Sequence, residues 1–203
     1  MRTIIMMMAM VLSMNVMAQS PAESLEKARA RLNYKDIKKE VKQLKKERWH
    51  VVPGSPSMEI QLEEAYLYEL AKDNNMDKLY YIGVGQSTGK FFDTAHLNAK
   101  EVARLVLAGQ VGSVTTGKVN IMMSNKQLSQ QEAESIKDVV QKNTTKYASM
   151  LGKVDDLFVV TRELKNGNVE VLVRMVASAK SINDLGQIIL NEELKKRGIK
   201  IDE

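Results

Sequence analysis

His50 and His96 are the only imidazoles in the 203-residue chain. Asp93 precedes His96 by one helical turn, a spacing at which a carboxylate can orient an imidazole. Gly83-Val84-Gly85 lies just upstream. From these residues a periplasmic hydrolase could be built, with Asp93 and His96 working beside the glycine strand. The rest of such a machine is missing from the sequence. No serine nucleophile is marked by a strained glycine turn, and no second histidine stands at metal-ligand spacing. Glu63-Glu64 and Asp155-Asp156 are adjacent pairs, whose side chains diverge on a helix or strand and so form no carboxylate couple. There is no cysteine, which removes disulfides, thiol catalysis and thiolate metal sites. Gly85-Gln86-Ser87-Thr88-Gly89-Lys90 falls short of a phosphate loop: three residues separate its glycines where four are needed, and Phe91 follows the lysine. No catalytic residue, cofactor or metal is expected, and the chain reads as non-enzymatic.

Charge gives the stronger signal. The formal net charge is +5. From Glu23 to Arg48 there are ten basic and five acidic residues, whereas Trp49 to Glu203 holds 19 basic and 20 acidic ones. The basic excess is therefore local, which argues against a nucleic-acid-binding domain. Lys35, Lys38, Lys39, Lys42, Lys45, Lys46 and Arg48, with Trp49 at the end, form the expected interaction surface. Ile37, Val41 and Leu44 keep helical spacing beneath them as a thin apolar seam. Such a segment suits an acidic partner, either an envelope protein or an acidic envelope polymer. The seam alternatively suits a helical protein partner.

These residues need elements to hold them. Ser20-Pro21-Ala22-Glu23 opens a helix, which breaks near Asn33-Tyr34, and Pro53-Gly54-Ser55-Pro56 is a hard stop. Ser57 caps a helix to about Lys72, and Leu79 to Gly85 reads as a strand ending on glycines. Gly83 and Gly85 leave one strand face bare, so another backbone, or a ligand, can approach. Asp93 is expected to cap a helix to about Gln110, and Val114 to Met123 to form a strand with Gly117 as a bulge. Ser129-Gln130-Gln131-Glu132 is a capping box. Asn166-Gly167 between Val154–Leu164 and Val169–Ala177 is a strong hairpin signal. Ser181 is expected to cap a last helix that stops at Gly198. The pattern predicts an α+β, two-layer sandwich: a small mixed or antiparallel sheet with helices on one face, preceded by a basic N-terminal helix.

Met1-Arg2, the apolar run from Ile4 to Met17 and the Val16-Met17-Ala18 end make residues 1–18 a signal peptide. Residues 19–48 are then the basic helical segment and 49–203 the α+β domain. No second apolar run is long enough to span a membrane. Export to the periplasm, to an outer-membrane-associated place or to the medium is expected. Without a cysteine at the cleavage site, no lipid anchor is expected.

Tyr80 to Gly85, followed by Ala95, Ala99, Ala103-Arg104, Leu107-Ala108 and Val111, resembles the core of the lipoprotein-twenty family of bacterial envelope proteins. The lysine-rich stretch before Trp49 and the Pro-Gly-Ser-Pro turn look like that family's bacteroidete branch. The resemblance runs from Trp49 to Ala179 and rests on glycines and alanines at packing positions. It implies a strand ending in Gly-x-Gly, an alanine-rich helix and a second strand. It also implies a non-catalytic, envelope-associated, lipoprotein-like role, and it carries over no catalytic residue.

Overall fold

The computed structural model describes residues 20–199, and the signal sequence read at Met1–Ala18 lies outside them. Ser20 accepts a hydrogen bond from the Glu23 amide and Pro21 takes the first helical position, so α1 runs Pro21–Ala30. Asn33 caps α2 (Tyr34–Lys46), where the sequence pattern places the break. A short strand β1 (His50–Val51) follows, and Ser57 caps α3 (Met58–Leu70). Then come β2 (Tyr80–Gly89) and the 33-residue helix α4 (Phe92–Ser124). Next are α5 (Gln130–Lys142), with the Ser129–Glu132 capping box formed, and α6 (Thr144–Met150). β3 (Asp155–Glu163), β4 (Val169–Ser178) and α7 (Ala179–Lys196) complete the order.

The four strands form one sheet in the order β1-β3-β4-β2, with every pairing antiparallel. The fold is α+β, with the sheet packed against α4 and α7. Gly167 has φ +77° in the turn between β3 and β4, the left-handed conformation that the Asn-Gly pair supplies cheaply. Alternation along β4 sends Val171, Val173, Met175 and Ala177 into a core with α4 and α7. The opposite face of the sheet gives Phe158 and Val160 to a second core, with Ile37, Val41 and Leu44 of α2, Trp49, and Met58 and Leu62 of α3. The basic helix thus packs on the outer face of the sheet, opposite α4.

Three local expectations are corrected. Val114 to Met123 is not a strand and Gly117 is not a bulge; both belong to α4. The buried positions Ala95, Ala99, Ala103, Leu107, Val111, Thr115 and Val119 step by four along that whole helix, so packing overrides the β-branched composition of its second half. Strand β2 does not end at Gly85 but continues to Gly89. Asp93 and Ser181 do not cap: α4 begins after Phe91 without a side-chain cap bond, and Ser178 caps α7.

Candidate interaction surface

Trp49 is 4 % exposed, so its place on the expected interaction surface is overturned. It belongs to the outer core, and the Arg162 guanidinium carbon lies 4.4 Å from its ring centre. The seam residues are equally unavailable, with Ile37, Val41 and Leu44 at 4 %, 4 % and 8 % exposure. A helical partner cannot use that seam while α2 remains docked. Burying the seam fixes the rotation of α2, and this turns Lys35, Lys38, Lys39, Lys42, Lys45 and Lys46 outward; Arg48, just past the helix, is exposed with them. Lys45 reaches Glu59 of α3 at 2.9 Å. Among the described residues, the other six make no ion pair.

Two arginines on the outer sheet face hold α2 in place. Arg174 of β4 pairs with Glu40 of α2, and the same carboxylate accepts a 2.7 Å hydrogen bond from the Tyr66 hydroxyl of α3. Burial, and then the bond and charge of Glu40, push the Tyr66 phenol up to about 12. Arg174 also lies 5.4 Å from the Phe158 ring centre. Two cross-strand pairs along on the same face, Arg162 of β3 bonds Glu170 of β4 at 2.6 Å and the carbonyl of Glu47 at 3.1 Å, while Gln86 of β2 donates to Glu170 at 2.7 Å. The C-terminal end of α2 is therefore registered against the Gln86 end of β2.

Between α2 and β2 a groove of about 940 Å³ remains open. Its α2 wall presents Asp36, Lys39, Lys42 and Lys46, and its α3 side presents Tyr66 and Glu69. Its floor is Ile82, Val84 and Arg174. Val84 is 45 % exposed between Gly83 and Gly85, both buried. Asp36 opens α2 and Glu40 is taken up by Arg174, whereas Lys42 and Lys46 lie toward the end of α2 that Arg162 and Glu170 tie to Gln86.

The other face of β2 leaves no room for a ligand. A Cβ on Gly85 would lie 1.9 Å from the Ala99 carbonyl oxygen, and one on Gly83 2.3 Å from that of Ala103. The glycines are therefore a steric requirement of α4 lying on β2, as are the alanines facing them. Gly85 to Gly89 is extended strand, so no phosphate-cradling loop forms there.

Asp93 and His96 are not brought together by any hydrogen bond or ion pair among the described residues. His96 instead faces Asp156 at 3.9 Å and stacks on Phe92 at 5.2 Å between ring centres. Lys100 holds the same Asp156 oxygen at 2.9 Å. Among the described residues, no group of three or more His, Cys, Asp or Glu is placed to hold a metal ion, and no helix is long and apolar enough to cross a membrane.

Comparison with protein-family models, with curated proteins and with solved structures finds no match to this chain. The residues that carry the resemblance to the lipoprotein-twenty family are the glycines and alanines of the β2–α4 contact, and the second strand it implies is part of α4. Arg174, Glu40 and Tyr66 were not singled out from sequence. The available signal was an arginine inside the otherwise apolar run Val171 to Ala177, because a charge on a covered strand needs a partner.

Proposed function

We propose that this chain is an exported, non-catalytic module of the bacterial cell envelope that works by holding a partner on the outer face of its sheet. The observation that carries the reading is the fixed basic face of α2 standing over an open groove. Six exposed cations that make no ion pair among the described residues are held in place by a buried seam and by the Arg174–Glu40 pair. Such an array favours an acidic protein or envelope polymer over a neutral one. Export rests on the sequence pattern of Met1–Ala18 and predicts a mature N-terminus at Gln19. An envelope role of the kind the lipoprotein-twenty resemblance implies fits the same pattern.

The test uses the full mature chain, because removing α2 would expose Trp49 and Phe158. The charge reversal K39E/K42E/K46E leaves the buried seam intact. Covalent capture in native envelopes should recover a partner set with the parent protein that is lost with this variant, and the parent's capture should weaken as salt rises. Equal recovery by both proteins at every salt level would overturn the reading.

A further inference from the structure

Strand β2 is the outer strand of the sheet, and no described element pairs with its far side. The Ala179 amide bonds the Leu79 carbonyl at 2.8 Å, which sets the phase of the β2–β4 ladder. With the unbroken register from Tyr80↔Ser178 to Gly89↔Val169, Tyr81, Gly83, Gly85, Ser87 and Gly89 exchange their bonds with β4. The backbone amides and carbonyls of Ile82, Val84, Gln86 and Thr88 therefore point to the open edge. Tyr80–Gly89 contains no charge, no proline and no register shift, the devices by which proteins normally close an edge. Apolar residues flank it on both sides. Val84 is on the groove side. On the other side Lys100 and Arg104 lean from α4 toward Asp156 and the Ala148 carbonyl, which puts Val102 and Val106 on the opposite flank of that helix, beside the edge. Both are about two-fifths exposed, at 40 % and 41 %.

We infer that the open edge of β2 takes up an extended acidic segment of a partner protein as a fifth strand. The inference rests on the interaction reading above and names its partner class. Repeating backbone donors and acceptors are matched by a polypeptide and not by a sugar or phosphate polymer. Alternate side chains of the added strand would enter the groove, whose α2 wall carries Lys42 and Lys46. Carboxylates at those positions complete the pairing, and β-branched residues suit the Val84 and Val102–Val106 flanks.

The probe is a displayed library of random peptides of about 12 residues selected on the mature chain, long enough to span such an edge. Selected peptides should alternate β-branched with acidic residues. On binding them, the amides of Ile82, Val84, Gln86 and Thr88 should become protected from hydrogen exchange. K42E/K46E should weaken binding at least about tenfold, and V84E similarly, because each places negative charge against the peptide carboxylates. Both substitutions are at exposed positions, and unchanged unfolding curves would show that the fold is kept. Selection of no peptide overturns the inference, and so does a selected peptide that binds as a helix or leaves those amides exchanging freely. Concentration-dependent protection of the same amides without peptide would replace the partner with a second copy of this chain. Polyphosphate binding that is lost in K42E/K46E, without peptide selection, would replace it with a polymer and leave the interaction reading standing. If K39E/K42E/K46E also keeps every envelope partner, both fall.

Discussion

The two faces of β2 are built for opposite tasks. On the inner face, Gly83 and Gly85 carry no side chain because α4 backbone atoms occupy the space. On the outer face, Val84, Gln86 and Thr88 are exposed, and Val84 floors a groove into which Lys39, Lys42 and Lys46 face. Successive residues of one strand thus alternate between a contact with no slack and a surface with nothing laid on it. The tight face lets the loose one exist: with α4 clamped to the strand, the edge and outer face can stay uncovered without loss of order. Mutational sensitivity should alternate along the strand in the same way.

The hardest way to break this comparison is Gly85→Val. Its Cβ would overlap the Ala99 carbonyl oxygen, which only backbone movement relieves, so a cost of about 4 kcal/mol or more is expected. Val84→Thr, one residue away on the outer face, should stay within about 0.5 kcal/mol. Urea unfolding of both variants reads the contrast, and similar losses would mean that α4 does not lie on β2 as described. Next in size is Trp49→Ala, at about 3 kcal/mol, because it empties the junction of α2, α3 and β3. Trp49 is also the only tryptophan, so its fluorescence in the parent protein reports the outer core. Its unfolding transition should coincide with that of the far-ultraviolet circular dichroism. An earlier fluorescence transition would show that α2 and its cations detach as a unit of their own.

A pH effect of intermediate size separates the polar clamp from the apolar cores. The folded Tyr66 phenol is raised from 10.0 to about 12, by burial first and Glu40 second. A raised acid is a neutral form favoured by folding. Its contribution is therefore complete below pH 10, falls as pH rises toward 12, and is gone above that. On the order of 1–2 kcal/mol should be lost across this window, less than the full linkage value because the ring is partly solvated. Tyr68 and Tyr147 are also raised by burial, so the measurement is the difference between the parent protein and Tyr66→Phe. That variant should show a shallower alkaline loss. Parallel curves would mean that the hydroxyl is not held against Glu40.

Legibility in the sequence followed how local each determinant was. The β3–β4 hairpin was readable because Asn166-Gly167 specifies its own turn, and α5 because Ser129 and Glu132 satisfy each other's backbone. The second half of α4 was misread because Val114, Thr115, Thr116 and Val119 favour strands as isolated residues. Its four-residue stripe, continuous from Ala95, held the answer, and the Thr115 hydroxyl completes the fit by donating to the Val111 carbonyl at 2.8 Å. The cations of α2 were visible as composition. Which of them face a groove was not, because that depends on Glu40 meeting Arg174 across 134 positions of chain. Trp49 was misplaced for a related reason: the sequence shows the charges around it, and only the fold shows the core that takes it in.

The smallest expected effect sharpens the account of what holds α2 on the domain. Lys45–Glu59 and Arg174–Glu40 both tie α2 to its neighbours, but the first pair is 60 % and 45 % exposed and the second 18 % and 23 %. An exposed pair gains little in high dielectric and gives up side-chain freedom, so a double-mutant cycle on Lys45→Gln and Glu59→Gln should return no more than about 0.5 kcal/mol, and less in high salt. Removing one member of the covered pair, as in Glu40→Gln, leaves Arg174 under-compensated beneath α2 and should cost about 1–3 kcal/mol. If the exposed pair proved the stronger of the two, α2 would be held from its rim, and salt would loosen it. With the covered pair stronger, α2 stays in place in salt that screens its lysines. Loss of partner binding at high salt then reports the cationic surface itself and not detachment of the helix that carries it.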